Sequence, residues 1–166
     1  TQTHYHLNYT KQLREDETFH LGLHYTKGAG YFEQFRTNDD LADYGLDNIT
    51  IGNEIIESTD LIRRRWLDND FYGTVFSYQN NIDGLDYTIG GAWNTYEGSH
   101  FGEIIWAQYA SNSQIRDRYY DNDATKIDYN IYAKGLYQLN KEITLFGDIQ
   151  KRWIDYSFVG LDQDAI

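Results

Sequence analysis

The sequence predicts an all-β fold of about six long antiparallel strands arranged as three hairpins. Three observations support this prediction. Apolar and polar residues alternate with a period of two over long runs, which is typical of strands that present two different faces. Short polar turns connect the two runs of each pair, and long polar segments connect one pair to the next.

The first hairpin is predicted at about 4–26. One face of its two runs carries the apolar residues Tyr5, Leu7, Tyr9, Leu13, Phe19, Leu21, Leu23 and Tyr25. The charged residues at 14–17 form the tight turn between the runs. Since a slip of one residue would move every side chain to the other face, the register should set Tyr25 opposite Tyr5.

The second and third hairpins are predicted at about 66–96 and 125–156, and both repeat the alternation. In the second hairpin, the pair Asp83 and Gly84 indicates a type I′ turn, because both central residues of that turn need a positive φ. In the third hairpin, a polar turn lies at 140–142. The three hairpins together account for the six predicted strands.

The connections alternate in length. Long polar loops are predicted at about 27–61, 97–124 and 157–166. Short turns at one end and long loops at the other are typical of outer-membrane barrels. A soluble β-sandwich also alternates, because one face of each sheet packs on a core. Alternation by itself therefore leaves both folds open.

The composition excludes several classes of protein. The formal net charge is −12, which argues against binding to nucleic acid, because duplex binding needs clustered Lys and Arg. The sequence has no cysteine, so disulfides and thiolate metal sites are excluded. Its 16 Tyr, 8 Phe and 4 Trp favour surfaces that are apolar on one side and wet on the other, such as a membrane interface or a sugar-binding surface.

No residue pattern predicts catalysis, a metal site or a cofactor. The sequence has neither a Gly-x-Ser-x-Gly elbow nor a phosphate-binding loop, so we predict that the chain is not an enzyme. His6 and His24 are expected opposite each other, and a wet pair of side chains is preferred over a transition-metal site. Three acidic residues, Asp117, Asp121 and Asp123, lack the spacing of a calcium-binding loop and are interpreted as a solvated loop.

Two groups of charged residues need interpretation. Matching the faces of the third hairpin sets Lys134 opposite Asp148, which predicts a cross-strand contact worth less than about 1 kcal/mol. The run at 63–65 is the only cluster of three arginines. It can bind an anionic ligand or a lipopolysaccharide phosphate, or it can balance acidic residues nearby such as Asp39.

Four stretches carry a resemblance to a known family. They are 28–36 (GAGYFEQFR), 58–77 (STDLIRRRWLDNDFYGTVFS), 90–100 (GGAWNTYEGSH) and 145–156 (LFGDIQKRWIDY). Together they resemble strands and loops in the barrel of TonB-dependent outer-membrane receptors, particularly the Bacteroidetes type. The resemblance runs over most of the chain and consists of strand-and-loop phrases rather than catalytic signatures.

The resemblance implies an antiparallel transmembrane β-barrel segment in the bacterial outer membrane, with long extracellular loops. The family's barrel has about 22 strands around a plug, and it imports scarce ligands with energy from TonB. This chain shows six strong strands, no plug-like segment and no TonB-box-like terminus. We therefore expect 1–166 to be a partial barrel domain without the plug. The absence of a signal peptide at Thr1 also suggests a processed chain or a piece of a longer one.

The implied partners are outer-membrane lipid, the remaining strands and plug of the parent receptor, and the TonB complex acting through that plug. The implied ligand is of the siderophore, cobalamin, haem or glycan class. Aromatic residues of the predicted loops are the candidates for ligand contact. They are Tyr31, Phe32, Phe35, Trp106, Tyr109, Tyr119 and Tyr120.

Two other interpretations stay open. The first is a soluble β-sandwich module that binds carbohydrate or another ligand through exposed Trp and Tyr. The second is a complete small outer-membrane barrel of about eight strands. That barrel needs two further strands, and it predicts that 48–57 and 101–109 pair across the membrane.

Overall fold

The computed structural model describes residues 1–160, and these form an all-β chain, which confirms the predicted fold class at that level. The strands are β1 (Gln2–Arg14), β2 (Glu17–Asp40), β3 (Ile49–Ile51), β4 (Glu54–Ile56), β5 (Ser58–Ile82), β6 (Leu85–Ala107), β7 (Arg118–Gln138) and β8 (Thr144–Val159). Six of them form one antiparallel sheet in the order β1-β2-β5-β6-β7-β8. Because β1 and β8 lie at opposite edges, the sheet formed by the described residues is open. Within 1–160, no helix has the length and apolar character needed to cross a membrane.

The register and the turns follow the predictions. In the first hairpin, Tyr25 lies opposite Tyr5, as matching of the two apolar faces requires. In the second, Asp83 and Gly84 have φ values of 48° and 82°, so both central residues of the turn are in the left-handed region. This is the conformation that a type I′ turn needs, and it matches the twist of the flanking strands.

The strands extend well beyond the predicted hairpins, which corrects the predicted loop bounds. Strand structure covers 27–40, 58–65, 97–107 and 118–124. In these extensions charged and aromatic residues replace aliphatic ones, so their composition is typical of a loop. The charged residues nevertheless pair across strands, because Arg64 forms a salt bridge of 2.8 Å with Glu33. In the same way, Trp66 Nε1 donates a hydrogen bond of 2.9 Å to Glu103.

The loops that remain are shorter than predicted. We call 41–57 and 108–117 together the cap; the first contains a 3-10 helix and the β3–β4 hairpin. Ser111 Oγ donates to the carbonyl oxygen of Asp47 at 2.5 Å, which joins the two segments. The third predicted loop, 157–166, begins inside β8, and its residues 161–166 lie outside the described part of the chain.

The structure also bears on the two other interpretations of the fold. The pairing of 48–57 with 101–109 that a small complete barrel predicts is wrong. β3 and β4 pair with each other, and 101–107 is the end of β6. A sandwich needs a second sheet stacked on the first. Among residues 1–160 the second sheet is the short β3–β4 hairpin, which is too small to cover six long strands.

The register gives the large sheet two faces of different chemistry. The apolar face carries the cross-strand row Leu7, Leu23, Thr74, Trp93, Tyr129 and Trp153. The polar face carries the row Thr10, His20, Ser77, Gly90, Tyr132 and Gln150. Because successive side chains of a strand point to opposite sides, these two rows fix the face of the other strand residues.

Near the short turns, the apolar face forms a continuous surface that we call the apolar band. It consists of alternate residues of 5–9, 19–25, 72–78, 85–93, 127–137 and 145–153. One of these residues is charged: Lys151 lies opposite Ile131, with its Nζ 5.5 Å from the centroid of the Trp153 ring. Ile131, in the middle of the band, is 55% exposed. At the edge nearer the cap the Tyr25 hydroxyl donates to Asp70 at 2.6 Å, and at the other edge the Tyr78 hydroxyl donates to Glu17.

The buried core lies at the opposite end of the sheet, beneath the cap. Leu41 and Leu61 are fully buried, and Tyr44 and Ile104 are almost so. Leu61 and Ile104 belong to the polar face, so the cap packs on that face. The sheet is therefore covered by its own chain at one end and exposes its apolar side chains at the other.

Candidate functional site

A cavity of about 600 Å³ lies between the level of the apolar band and the cap. Most of its lining comes from the polar face, but Tyr31 and Trp66 of the apolar face also border it. Two cross-strand rows form its wall. The first row is Gly30, Leu67 and His100, and the second contains Phe32, Arg65 and Tyr120. These residues come from β2, β5, β6 and β7. Thr1 and Gln2 also line the cavity, which lies where these four strands extend past the apolar band.

Glycine makes the floor of the cavity. A Cβ atom placed on Gly30 would lie 3.8 Å from the backbone N of Thr1, which is an ordinary van der Waals contact. Gly28, two residues earlier on the same face, differs: a Cβ there would lie 2.4 Å from Asn69 Oδ1. Gly28 thus admits the buried Asn69 side chain, whereas Gly30 has room for a Cβ atom.

The positive charge of the cavity is held between two rings. The Arg65 guanidinium carbon lies 5.7 Å from the ring centroids of both Phe32 and Tyr120, within the range of cation–π attraction. Arg65 Nε also donates a hydrogen bond of 3.3 Å to the Tyr120 hydroxyl. Tyr120 is buried, so the guanidinium is positioned by a rigid neighbour.

The charges around the cavity contrast with those of the chain. The sequence has 26 acidic residues and a net charge of −12. In the described part of the chain, the cavity lining includes Arg65 and His100 but neither Asp nor Glu.

Tyr44 anchors the cap to the strands through a charged network. Its hydroxyl donates to Asp39 Oδ2 at 2.6 Å and accepts from Arg63 Nη1 at 3.1 Å. Burial, and then the hydrogen bond to Asp39, raise the pKa of Tyr44 well above its ordinary value. Burial by itself would raise the pKa of Asp39, but hydrogen bonds from Arg36 and Tyr44 outweigh it, and the pKa of Asp39 lies below its ordinary value. At neutral pH Asp39 is therefore an anion that holds the cap in place.

Aromatic contacts connect this network to the cavity. The rings of Tyr44 and Tyr119 meet edge to face with centroids 4.8 Å apart. Tyr119 in turn meets Tyr120 edge to face at 4.9 Å. Such pairs add about 0.5–1.5 kcal/mol each beyond the area that they bury. The wall of the cavity and the underside of the cap are thus one packed unit.

The structure divides the predicted ligand-contact residues among three places. Tyr31, Phe32 and Tyr120 line the cavity, and Tyr119 packs behind it. The others lie elsewhere: Phe35 and Trp106 are on the apolar face beyond the band, and Tyr109 is in the cap, where its backbone N–H donates to Thr59 Oγ1.

Several lining residues were not among those predicted. Arg65 was predicted only as part of the basic run. The other unpredicted lining residues are Thr1, Gln2, Gly28, Ala29, Gly30, Trp66, Leu67, Asn69 and His100. The strand alternation explains that run, because Arg63 and Arg65 lie on the polar face and Arg64 on the apolar face. The three arginines therefore cannot all bind the same anion. Continuing the period of two through 58–70 would have placed Arg65 on the polar face, whereas its position beside Phe32 depends on the pairing of β2 with β5.

The other charged features have local partners. Asp121 accepts from Arg118 at 2.6 Å, and Asp117 accepts from the backbone N–H of Gln114 at 2.7 Å. His6 lies opposite His24 in the register. Among residues 1–160, no group of three His, Cys, Asp or Glu side chains is placed to hold a metal ion.

The chain matches no model of a known protein family. It also matches no curated protein.

Proposed function

We propose that this chain is part of the wall of a β-barrel in the bacterial outer membrane, belonging to a TonB-dependent receptor. The parent receptor would import a scarce nutrient of the siderophore, cobalamin, haem or glycan class. The observation that carries the proposal is the apolar band, whose large side chains are exposed across all six long strands. The resemblance of four sequence stretches to the family's barrel supplies the transport function.

Energetics favour lipid as the partner of the band. Each large apolar side chain gains about 1.5–3 kcal/mol when it is removed from water. Contiguous apolar patches larger than a few hundred Å² are rare on soluble monomers. Within the described residues no second sheet lies over the band. Acyl chains would cover it without any further protein, while the strand ladders satisfy the backbone groups inside the sheet.

The dimensions of the band suit a membrane. In β7 the apolar-face positions from Ile127 to Tyr137 are all apolar or small. Ten residues of strand span about 33 Å. At a strand tilt of about 40° this corresponds to about 25 Å along the membrane normal, which is the height of the apolar band in outer-membrane barrels. The tyrosines that border the band match the aromatic girdles of such barrels.

The open edges define the remaining partners. β1 and β8 present unpaired backbone groups, and in lipid each such group costs several kcal/mol. In our proposal these edges pair with the remaining strands of the parent barrel. The polar face then faces the aqueous interior and the plug through which the TonB complex acts, and the cap and cavity lie at the extracellular end.

The four tryptophans provide the test of membrane placement, because all lie on the apolar face at two heights. Trp93 and Trp153 are in the band, whereas Trp66 and Trp106 lie beyond it. Single-tryptophan variants, with the other three changed to Phe, are refolded into phosphatidylcholine vesicles carrying a nitroxide on the acyl chain. We expect quenching of Trp93 and Trp153 and little quenching of Trp66 and Trp106. Equal quenching at both heights would contradict the proposal.

The receptor assignment has a separate test. The intact mass and flanking sequence of the native chain are measured from cells. A plug before this segment and further barrel strands after it are expected. A native barrel completed without a plug would leave the membrane placement standing and overturn the importer.

A further inference from the structure

We propose that the polar face of the first hairpin binds a divalent transition-metal ion of the class that prefers imidazole, through the juxtaposition of His4 and His6 on β1. The two imidazoles are the ligands that this chain supplies, and water takes the remaining positions. The inference needs only the pairing of β1 with β2, so it stands apart from the proposed function. Three observations carry it: the spacing of the two rings, the hydrogen bond that orients His4, and the chemistry of the surrounding face.

The two rings lie within reach of one ion. His4 and His6 are two residues apart on one strand, so their side chains leave the same face. Their ring centroids are 6.3 Å apart. An ion at about 2.0–2.1 Å from one nitrogen of each imidazole lies about 3.2 Å from each centroid, which allows about 4.5–6.4 Å between the centroids. The observed separation is within this range, and exposed side chains such as these change rotamer rapidly, so both nitrogens can turn to one ion.

A threonine orients one of the two ligands. His4 Nδ1 shares a hydrogen bond of 2.9 Å with Thr26 Oγ1, directly across the β1–β2 ladder. When Nδ1 carries the proton and donates this bond, the lone pair of Nε2 is available to an ion. Metal-binding histidines are commonly held in this way through their other nitrogen, which fixes the tautomer and the plane of the ring.

The other histidines of this face are placed differently. His24 lies opposite His6, but its Nε2 is buried, and its ring packs on Phe71 with the centroids 4.9 Å apart. An ion that arrives from solvent therefore does not reach it. His20 lies nearer the short turn, opposite Thr10, and shares a hydrogen bond of 2.9 Å with that residue. The site is thus a pair of ligands, in keeping with the lack of a three-residue group within 1–160.

The surrounding face favours transition metals over calcium and magnesium. The polar face of 4–12, 18–26 and 71–79 carries neither acidic residues nor Lys or Arg. On these strands no ammonium or guanidinium group repels a cation, and no carboxylate offers the oxygen ligands that Ca²⁺ and Mg²⁺ need. Imidazole nitrogen suits Cu²⁺, Ni²⁺ and Zn²⁺, and Cu²⁺ binds such sites most tightly.

The first test compares ions on the unmodified chain. The full chain is folded in detergent micelles, and CuCl₂, NiCl₂ and MgCl₂ are titrated by calorimetry in a buffer that does not bind metals. We expect one saturable site for Cu²⁺, binding of Ni²⁺ at least about tenfold weaker, and no saturable binding of Mg²⁺. The electron paramagnetic resonance spectrum of bound Cu²⁺ should show splitting from two imidazole nitrogens. Comparable binding of Mg²⁺, no saturable binding of Cu²⁺, or splitting from a single nitrogen overturns the inference.

Variants locate the two ligands. His4→Gln and His6→Gln should each weaken Cu²⁺ binding at least about tenfold, because a two-point attachment becomes a single one. His20→Gln is the matched control, since it removes an imidazole from the same face outside the pair. Unchanged binding in His6→Gln, or an equal loss in His20→Gln, places the ion elsewhere and overturns the inference.

Thr26 is tested as a positioning residue. Thr26→Val should weaken Cu²⁺ binding about tenfold, because His4 loses the partner of its Nδ1. Thr26→Ser keeps the hydroxyl and should retain the affinity of the unmodified chain. Equal affinity in the two variants contradicts the site as described. The ion series and the spectrum of the unmodified chain stay decisive even where a variant fails to fold.

Discussion

The two ends of the sheet use the same backbone for different surroundings. At the short-turn end, aliphatic and aromatic side chains alternate with polar ones, and the apolar side remains exposed in the chain itself. At the cap end, charged and aromatic residues occupy both faces and bond to one another across strands. The comparison shows that polar and charged residues can extend a strand when their side chains find partners on the neighbouring strands.

The two ends also differ in what stabilises them. The cap end has a buried cluster of Leu61, Ile104 and Tyr44 with a charged network beside it. The short-turn end depends on ladder hydrogen bonds and on whatever covers the apolar band. Substitutions at the first end should therefore act in any solvent that maintains the fold, whereas substitutions in the band should act only where lipid is present.

The largest effect is expected in the buried cluster. Leu61→Ala should lower the free energy of unfolding by about 2–5 kcal/mol, because it leaves a cavity where a fully buried side chain packs. Urea unfolding followed by tryptophan fluorescence measures this, both in micelles and in vesicles. The matched change Leu67→Ala removes a side chain that is 41% exposed and should cost about 1 kcal/mol or less. Similar losses for both would contradict a core at this end.

A charge in the apolar band comes next. Ile131→Arg should cost about 2–4 kcal/mol in vesicles, as expected for a cation on the lipid face near the bilayer midplane. Its neighbour Asn130 lies on the polar face, so Asn130→Arg should cost much less. Both residues lie in β7, so the difference between the two unfolding free energies in lipid reports which face each residue lies on. If the two arginines cost the same, the band does not face acyl chains.

Acid should weaken the cap end selectively. Because the folded-state pKa of Asp39 lies below its unfolded value, the stabilisation from its network is complete above the unfolded pKa of about 3.9 and is lost as pH falls through the folded value. Proteolysis within the cap should therefore accelerate in that acidic range before the sheet unfolds. Asp39→Asn should remove this acid-dependent step. Its persistence in that variant would assign the step to another carboxylate.

The smallest effect is expected for Lys134. It lies opposite Asp148 in the register, but no salt bridge joins these two described residues. Lys134→Ala should change the unfolding free energy by less than about 0.5 kcal/mol. Arg152→Ala removes a cation whose Nε does bond Asp128, at 2.9 Å, and should cost up to about 1 kcal/mol. A larger loss for Lys134 would mean that its charge meets a partner in the assembled barrel.

Much of the local structure was predictable because it depends on near neighbours. The alternation at 4–26 predicts both the strands and the pairing of Tyr5 with Tyr25, since one slip would reverse every side chain. The turn at Asp83 and Gly84 follows from the conformations those two residues tolerate. Strand length was harder, because the charged extensions resemble loops until their partners across the sheet are known.

The strand period, the hairpin registers and the segregation of apolar from polar faces could all be predicted from the order of residues along the chain. The meeting of Phe32, Arg65 and Tyr120 and the packing of the cap on the polar face are seen only in the folded chain. The physical reason is distance along the chain. Alternation is set by neighbouring backbone geometry, whereas a cavity needs three or more strands to extend equally far, and that depends on pairings between residues distant in sequence.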